Sequence, residues 1–297
     1  MSEYVLTLSC PDRIGIVHAV AAYLHHAGCN VLDSQQFGDR TVEGLEGASQ
    51  FFMRVHVESL QPTPTTYRDL HSGFVPVAAE FAMEWELHDT AVQPRALIMV
   101  SKAGHCLNDL LYRRAAESLR IDVPLVVGNH PDLAPLAAAH GVPFEHVPAG
   151  PVSAGTDPLA RQRSEGRLLD LVSELDIDFV VLARYMRILS PELCAKMTGR
   201  IINIHHSFLP SFKGARPYHQ AHAHGVKLIG ATAHYVTADL DEGPIIEQEV
   251  ARVDHADSPE DLAAIGRDAE RVALARAVRW HAEHRVLLHG RRTVIFK

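Results

Sequence analysis

The run Ile201-Ile202-Asn203-Ile204-His205-His206-Ser207 decides how this chain is read. It opens apolar, as a strand buried on both faces must, and ends in the densest polar cluster of the sequence. Residues 96–100, 123–127 and 179–182 share the apolar part of that pattern. Helical stretches lie between these runs, at about 106–118, 131–140 and 159–174. Apolar strands alternating with helices predict an α/β domain built on an open, mostly parallel sheet covered on both faces. Downstream, 227–237 and 245–253 read as further strands, and a long helix is predicted over 258–284.

Upstream of residue 90 the pattern changes. Residues 4–9 read as a strand, and Asp12-Arg13-Ile14-Gly15 as a turn. Ile16, Val17, Val20, Ala21 and Leu24 then recur at helical spacing until Gly28, which suits the residue just past a helix end. Two strands (30–37 and 49–58), a weaker helix (66–83) and a last strand (84–88) complete a βαββαβ order, the ferredoxin-like unit. The polar connector 89–95, with Pro94, marks a boundary, giving expected domains of 1–90 and 95–297.

Composition narrows the function classes. The chain has 297 residues, 47% hydrophobic and 22% charged, as in ordinary globular proteins. Its net charge of −8 (28 Lys and Arg against 36 Asp and Glu) argues against nucleic acid as a partner. No apolar run approaches the ~18 residues that span a bilayer, so no membrane partner is expected. Cys10, Cys29, Cys106 and Cys194 lie far apart, without zinc-site spacing. They read as free thiols of a reducing compartment, and the expectation is a cytoplasmic protein with no metal.

The chemistry concentrates in two stretches. Side chains alternate along a strand, so Asn203 and His205 share a face at the strand's carboxyl end, where open α/β sheets bind ligands. An amide and an imidazole so placed can polarise a carbonyl and stabilise the oxyanion formed on attack. The loop after them, 207–217, holds two prolines and a glycine, and the second proline, Pro217, suits the first turn of a helix. The second stretch is His234-Tyr235-Val236-Thr237-Ala238-Asp239-Leu240-Asp241-Glu242-Gly243-Pro244. If its turn folds back, Asp241 can hold a water and raise the basicity of a neighbouring imidazole. No GxSxG elbow is present, which disfavours a covalent nucleophile. The turn at 101–108 has one glycine and no phosphate-cradling pattern, so no nucleotide cofactor is expected.

The segments 203–210 and 240–244 resemble the folate-dependent formyltransferase family, and Cys10-Pro11-Asp12-Arg13-Ile14-Gly15-Ile16-Val17 resembles the opening of an ACT domain. One departure is Ile14, where many ACT domains carry proline. The resemblance implies a Rossmann-like catalytic domain with Asn203, His205 and Asp241 as its triad. It places Arg184, Tyr185, Met186, Ile188 and Leu189, with His234, Val236, Thr237 and Leu240, around the folate. It implies hydrolysis of 10-formyltetrahydrofolate to formate and tetrahydrofolate, with water as acceptor and no cofactor. That reaction supplies formate for purine biosynthesis and balances the one-carbon folate pool. Formyl transfer to an amine such as glycinamide ribonucleotide, or a folate-binding regulator, are the alternatives. For the ACT-like domain it implies homo-oligomerisation and an amino-acid effector, glycine or methionine, at Asp12, Arg13, Gly15 and Ile16.

Overall fold

A computed structural model describes residues 2–39, 49–60, 65–149, 158–207 and 217–297. The loop expected at 207–217 therefore lies, from 208 to 216, outside the described residues. The chain divides into two compact units. The first holds 1–93 together with 283–289 and 294–297, and the second holds 94–282 and 290–293. The domain expected over 95–297 thus ends earlier, because most of the C-terminal segment belongs to the first unit.

The first unit runs β1 (Ser2–Pro11), α1 (Ile16–His26), β2 (Cys29–Asp39), β3 (Gln50–Ser59), α2 (Tyr67–Phe81) and β4 (Glu84–Asp89). Its antiparallel sheet has the order β2-β3-β1-β4, which is the ferredoxin-like arrangement. The core forms from one face of the sheet, through Leu6, Leu8, Met53, Val55 and Val57, and from the apolar stripes of the helices, through Val20, Leu24, Leu70 and Phe74. Thr66 and Asp69 begin α2 with a reciprocal capping box. On the other face, Phe52, Arg54 and His88 meet residues 283–289 instead of a helix.

The second unit continues with β5 (Arg95–Val100), α3 (His105–Ala115), β6 (Asp122–Gly128), α4 (Ala134–Ala139), β7 (Phe144–His146), α5 (Pro158–Glu174) and β8 (Phe179–Leu182). Then come α6 (Pro191–Lys196), β9 (Ile201–His205), α7 (Pro217–Ala223), β10 (Leu228–Tyr235), β11 (Ile245–Arg252) and α8 (Pro259–Ala282). The sheet order is β11-β10-β9-β8-β5-β6-β7. Five strands, β5 to β9, are parallel, and β10 runs antiparallel to both β9 and β11. The chain leaves β5 first to one side, through β6 and β7, and later to the other, through β8 and β9. That reversal opens a crevice at the carboxyl ends of β5 and β8. Two bonds tie those ends together: Ala183 N donates to Met99 O at 2.9 Å, and Met186 N to Ser101 Oγ at 2.9 Å.

Candidate active site

The register of β9 against β10 builds the centre. Asn203 lies directly opposite His234, and His205 opposite Thr232. Directly opposed residues on one face of an antiparallel pair are near enough to bond. Asn203 Nδ2 donates to His234 Nε2 at 3.2 Å. The other ring nitrogen, His234 Nδ1, donates to Tyr235 O at 2.9 Å, which fixes the tautomer so that Nε2 can accept. His234 is only 2% exposed, and burial pushes its pKa down, against the pull of the Tyr235 carbonyl and Asp241, so the ring is held neutral.

Asp241 arrives from the turn after β10, and a glycine allows it to. A Cβ on Gly243 would lie 1.7 Å from Tyr235 O, so only glycine fits against the strand end. Tyr235 N donates to Pro244 O at 2.9 Å and closes the turn. Asp241 itself adopts φ 56°, in the left-handed region that Asp tolerates better than most residues. Its Oδ1 lies 3.3 Å from His205 Nδ1 and 3.8 Å from His234 Nε2. Burial alone would raise its pKa, but the His205 hydrogen bond and the neighbouring imidazoles hold it below the usual carboxylate range.

These groups form one end of a cleft of about 230 Å³. Arg184, Tyr185, Met186, Ile188 and Leu189 line it from the segment after β8, and Val236, Thr237 and Leu240 from the turn after β10. All twelve residues expected at the triad and the folate pocket thus meet along one surface. Met186, Ile188 and Leu240 are exposed and offer an apolar face, whereas His234 lies too deep to present much surface to a ligand. His206 also lines the cleft, together with Arg187, Ala238 and Asp239 from within the same two segments. His206 was legible only as the neighbour of His205, on which it stacks at 4.9 Å.

Behind His206 sits a buried polar cluster. Glu270, on α8, is 1% exposed; its Oε2 meets His105 Nε2 at 2.8 Å and its Oε1 accepts from Tyr218 OH at 3.0 Å. Among the described residues, His105, Cys106 and Glu270 also offer a donor set of the size a metal ion needs. The Glu270 carboxylate is already engaged, however, and burial drives the Cys106 thiol far up into its protonated form, which ligates poorly.

In the first unit, Gly15 stands at φ 103° before α1, and no side chain caps that helix start. Arg13 lies over the Phe81 ring at 4.2 Å and donates to Glu80 O. Asp12 N donates to Ser49 O at 2.8 Å. Ile16 is buried in the core, so of the four residues expected to face an effector it can offer only backbone.

Against known proteins, a formyl transferase family model matches residues 94–278. A formyltetrahydrofolate deformylase of a Corynebacterium species is 48% identical over 300 residues, covering all of both chains. The chain belongs to the formyltetrahydrofolate deformylase family. The crystal structure of a deformylase from Burkholderia mallei, 50% identical, superposes with a TM-score of 0.90 over the full length of both chains. A glycinamide ribonucleotide transformylase from Symbiobacterium toebii is 31% identical with a TM-score of 0.63. It covers 71% of this chain and 98% of its own. Deformylases therefore share this chain's whole length, while the transformylase covers 71% of it.

Proposed function

We propose that this protein hydrolyses 10-formyltetrahydrofolate to formate and tetrahydrofolate, with Asn203, His205 and Asp241 as its catalytic residues. The observation that carries the reading is the 3.3 Å approach of Asp241 to His205 on a strand end that also presents Asn203, at one end of a cleft with apolar walls. In the reaction, water oxygen bonds to the formyl carbon and the carbonyl π pair moves onto its oxygen. Asn203, whose amide nitrogen keeps a second N–H beyond the one given to His234, and His205 stabilise that oxyanion. Asp241 orients the water and, with His205, receives its proton. The C–N10 bond then breaks, N10 takes the proton, and formate and tetrahydrofolate leave. His234 acts as a positioning residue, since it touches both Asn203 and Asp241 from below.

The test is formate release from 10-formyltetrahydrofolate with no amine present. One formate per tetrahydrofolate supports hydrolysis; dependence on an added amine would indicate transfer. Asp241→Asn and His205→Ala should each lower kcat by about 10²–10³. Near-normal turnover in both would remove the assignment.

For the first unit we propose homo-oligomerisation and binding of an amino acid, glycine or methionine, at backbone donors of the turn 12–16. The uncapped start of α1 and the fully exposed Ile14 beside it support this reading. Titrating both amino acids against formate release by the whole chain tests it. We also propose a cytoplasmic location; among the described residues no helix is long and apolar enough to cross a membrane.

A further inference from the structure

The crevice at the β5/β8 reversal, where the topology directs a ligand, is occupied by the protein's own side chains. Arg184 enters it from the end of β8, His105 from the first residue of α3, Tyr218 from α7 and Glu270 from α8. Glu270 Oε2 lies 3.4 Å from Arg184 Nε, an ion pair without hydrogen-bond geometry. With His105 and Tyr218 on the same carboxylate, both Glu270 oxygens are committed. The packing is tight on the helix side: a Cβ at Gly266 of α8 would lie 2.1 Å from Tyr218 OH, so glycine there lets the phenol reach Glu270.

Arg184 holds this position at a backbone cost. Its φ is 63°, where glycine is at ease and a long side chain is strained. The strain places a guanidinium beside His206, whose ring stacks on His205. His206 is pushed down to about 4, by burial first and then by Arg184 and His205, so the layer between Arg184 and His205 is a neutral ring.

Resting on the hydrolysis reading above, we propose that Arg184, anchored by Glu270, is the residue that restricts the acceptor to water. An amine acceptor must reach the formyl carbon from beyond His205, bring a body that needs room, and give up a proton. The room is taken by Arg184 and His105. The carboxylate that could receive the ammonium is already engaged by His105, Tyr218 and the Arg184 charge, and the guanidinium repels a protonated amine. Water needs neither the space nor the anchor. The amine-formylating relative of the same fold shows that the architecture itself does not forbid transfer.

The experiment uses the full chain with 10-formyltetrahydrofolate and glycinamide, and measures formate and N-formylglycinamide together. The unmodified protein should give formate alone. Arg184→Gly puts the unstrained residue at φ 63° and clears the crevice, so the amide-to-formate ratio should rise by about tenfold or more, the discrimination that a filled or emptied pocket of this size supplies. Glu270→Gln keeps the shape but drops the charge that tethers Arg184, and should shift the ratio the same way. An unchanged ratio in both variants overturns the proposal. Loss of formate with no amide gained also overturns it, because Arg184 would then serve the chemistry itself. If the unmodified protein releases no formate, the hydrolysis reading fails first, and the variants play no part in that result.

Discussion

At the level of single residues the site is organised by which imidazoles stay neutral. His206 is the clearest case. Burial first, then Arg184 and His205, push its pKa down to about 4, and Glu270 and Asp241 oppose them only in part. An unfolded histidine titrates near 6.5, so between about 6.5 and about 4 the unfolded chain binds more protons than the folded one. Stability contributed by the neutral ring is therefore full above that window and lost as pH falls through it. His234, also lowered, acts in the same direction. Asp241 is depressed from 3.8, so its contribution is lost only below that value, outside the window. Moving from about pH 7.5 to about pH 5 should therefore lower the melting temperature, and His206→Asn should show a smaller drop. Equal drops in the two proteins would mean that the ring is not held neutral by the fold. The sequence pointed to His205 through strand alternation but was silent on His206, because a pKa set by Arg184 and Glu270 depends on neighbours 22 and 64 positions away.

Among the elements, β9 was legible from its apolar run and the Gly243-Pro244 turn from its composition, but their meeting was not. Nothing local gives the register that sets Asn203 opposite His234, and so His234 read as a wall residue rather than a support. What brings the turn home is a contact that a sequence pattern does not display, the approach of Gly243 to the Tyr235 carbonyl. Gly243→Ala should thus push the turn outward and carry Asp241 away from His205. A displacement near 1 Å costs about 10²-fold in turnover, and the variant should also lose stability. Gly141→Ala is the matched control. It has φ 69° but open space around it, so it should cost about 1 kcal/mol of backbone strain with kcat unchanged. Measuring kcat and melting temperature for both separates a misplaced carboxylate from general strain. If Gly243→Ala keeps normal turnover, the turn does not depend on that approach to place its carboxylate.

For the molecule as a whole, the connector at 89–95 reads as a break, yet the first unit draws on residues far beyond it. Residues 283 and 284 find a partner some 230 positions earlier, which no local pattern announces. Arg54 is 3% exposed; its Nε donates to His284 O at 3.1 Å and its Nη2 to Glu283 O at 3.1 Å, while Nη1 reaches Asp33 Oδ2 at 3.3 Å. Burial lowers its pKa to about 10, which still leaves it charged. Asp39, also buried, bonds His289 Nε2 at 3.1 Å, and the same imidazole packs edge-on against Phe52. A chain ending at Ala282 would strip both buried charges of these partners and bare the sheet face that carries Phe52. Breaking a buried charge from its partners costs about 3–5 kcal/mol, so amides of β1 and β3 should exchange faster in the shortened chain. Introducing Arg54→Met there should recover part of the protection, because an apolar side chain of similar length needs no carbonyl to receive it. Unchanged exchange in the shortened chain would show that the sheet needs no such cover. Faster exchange that Arg54→Met fails to restore would assign the loss to bared apolar surface around Phe52 rather than to the orphaned guanidinium.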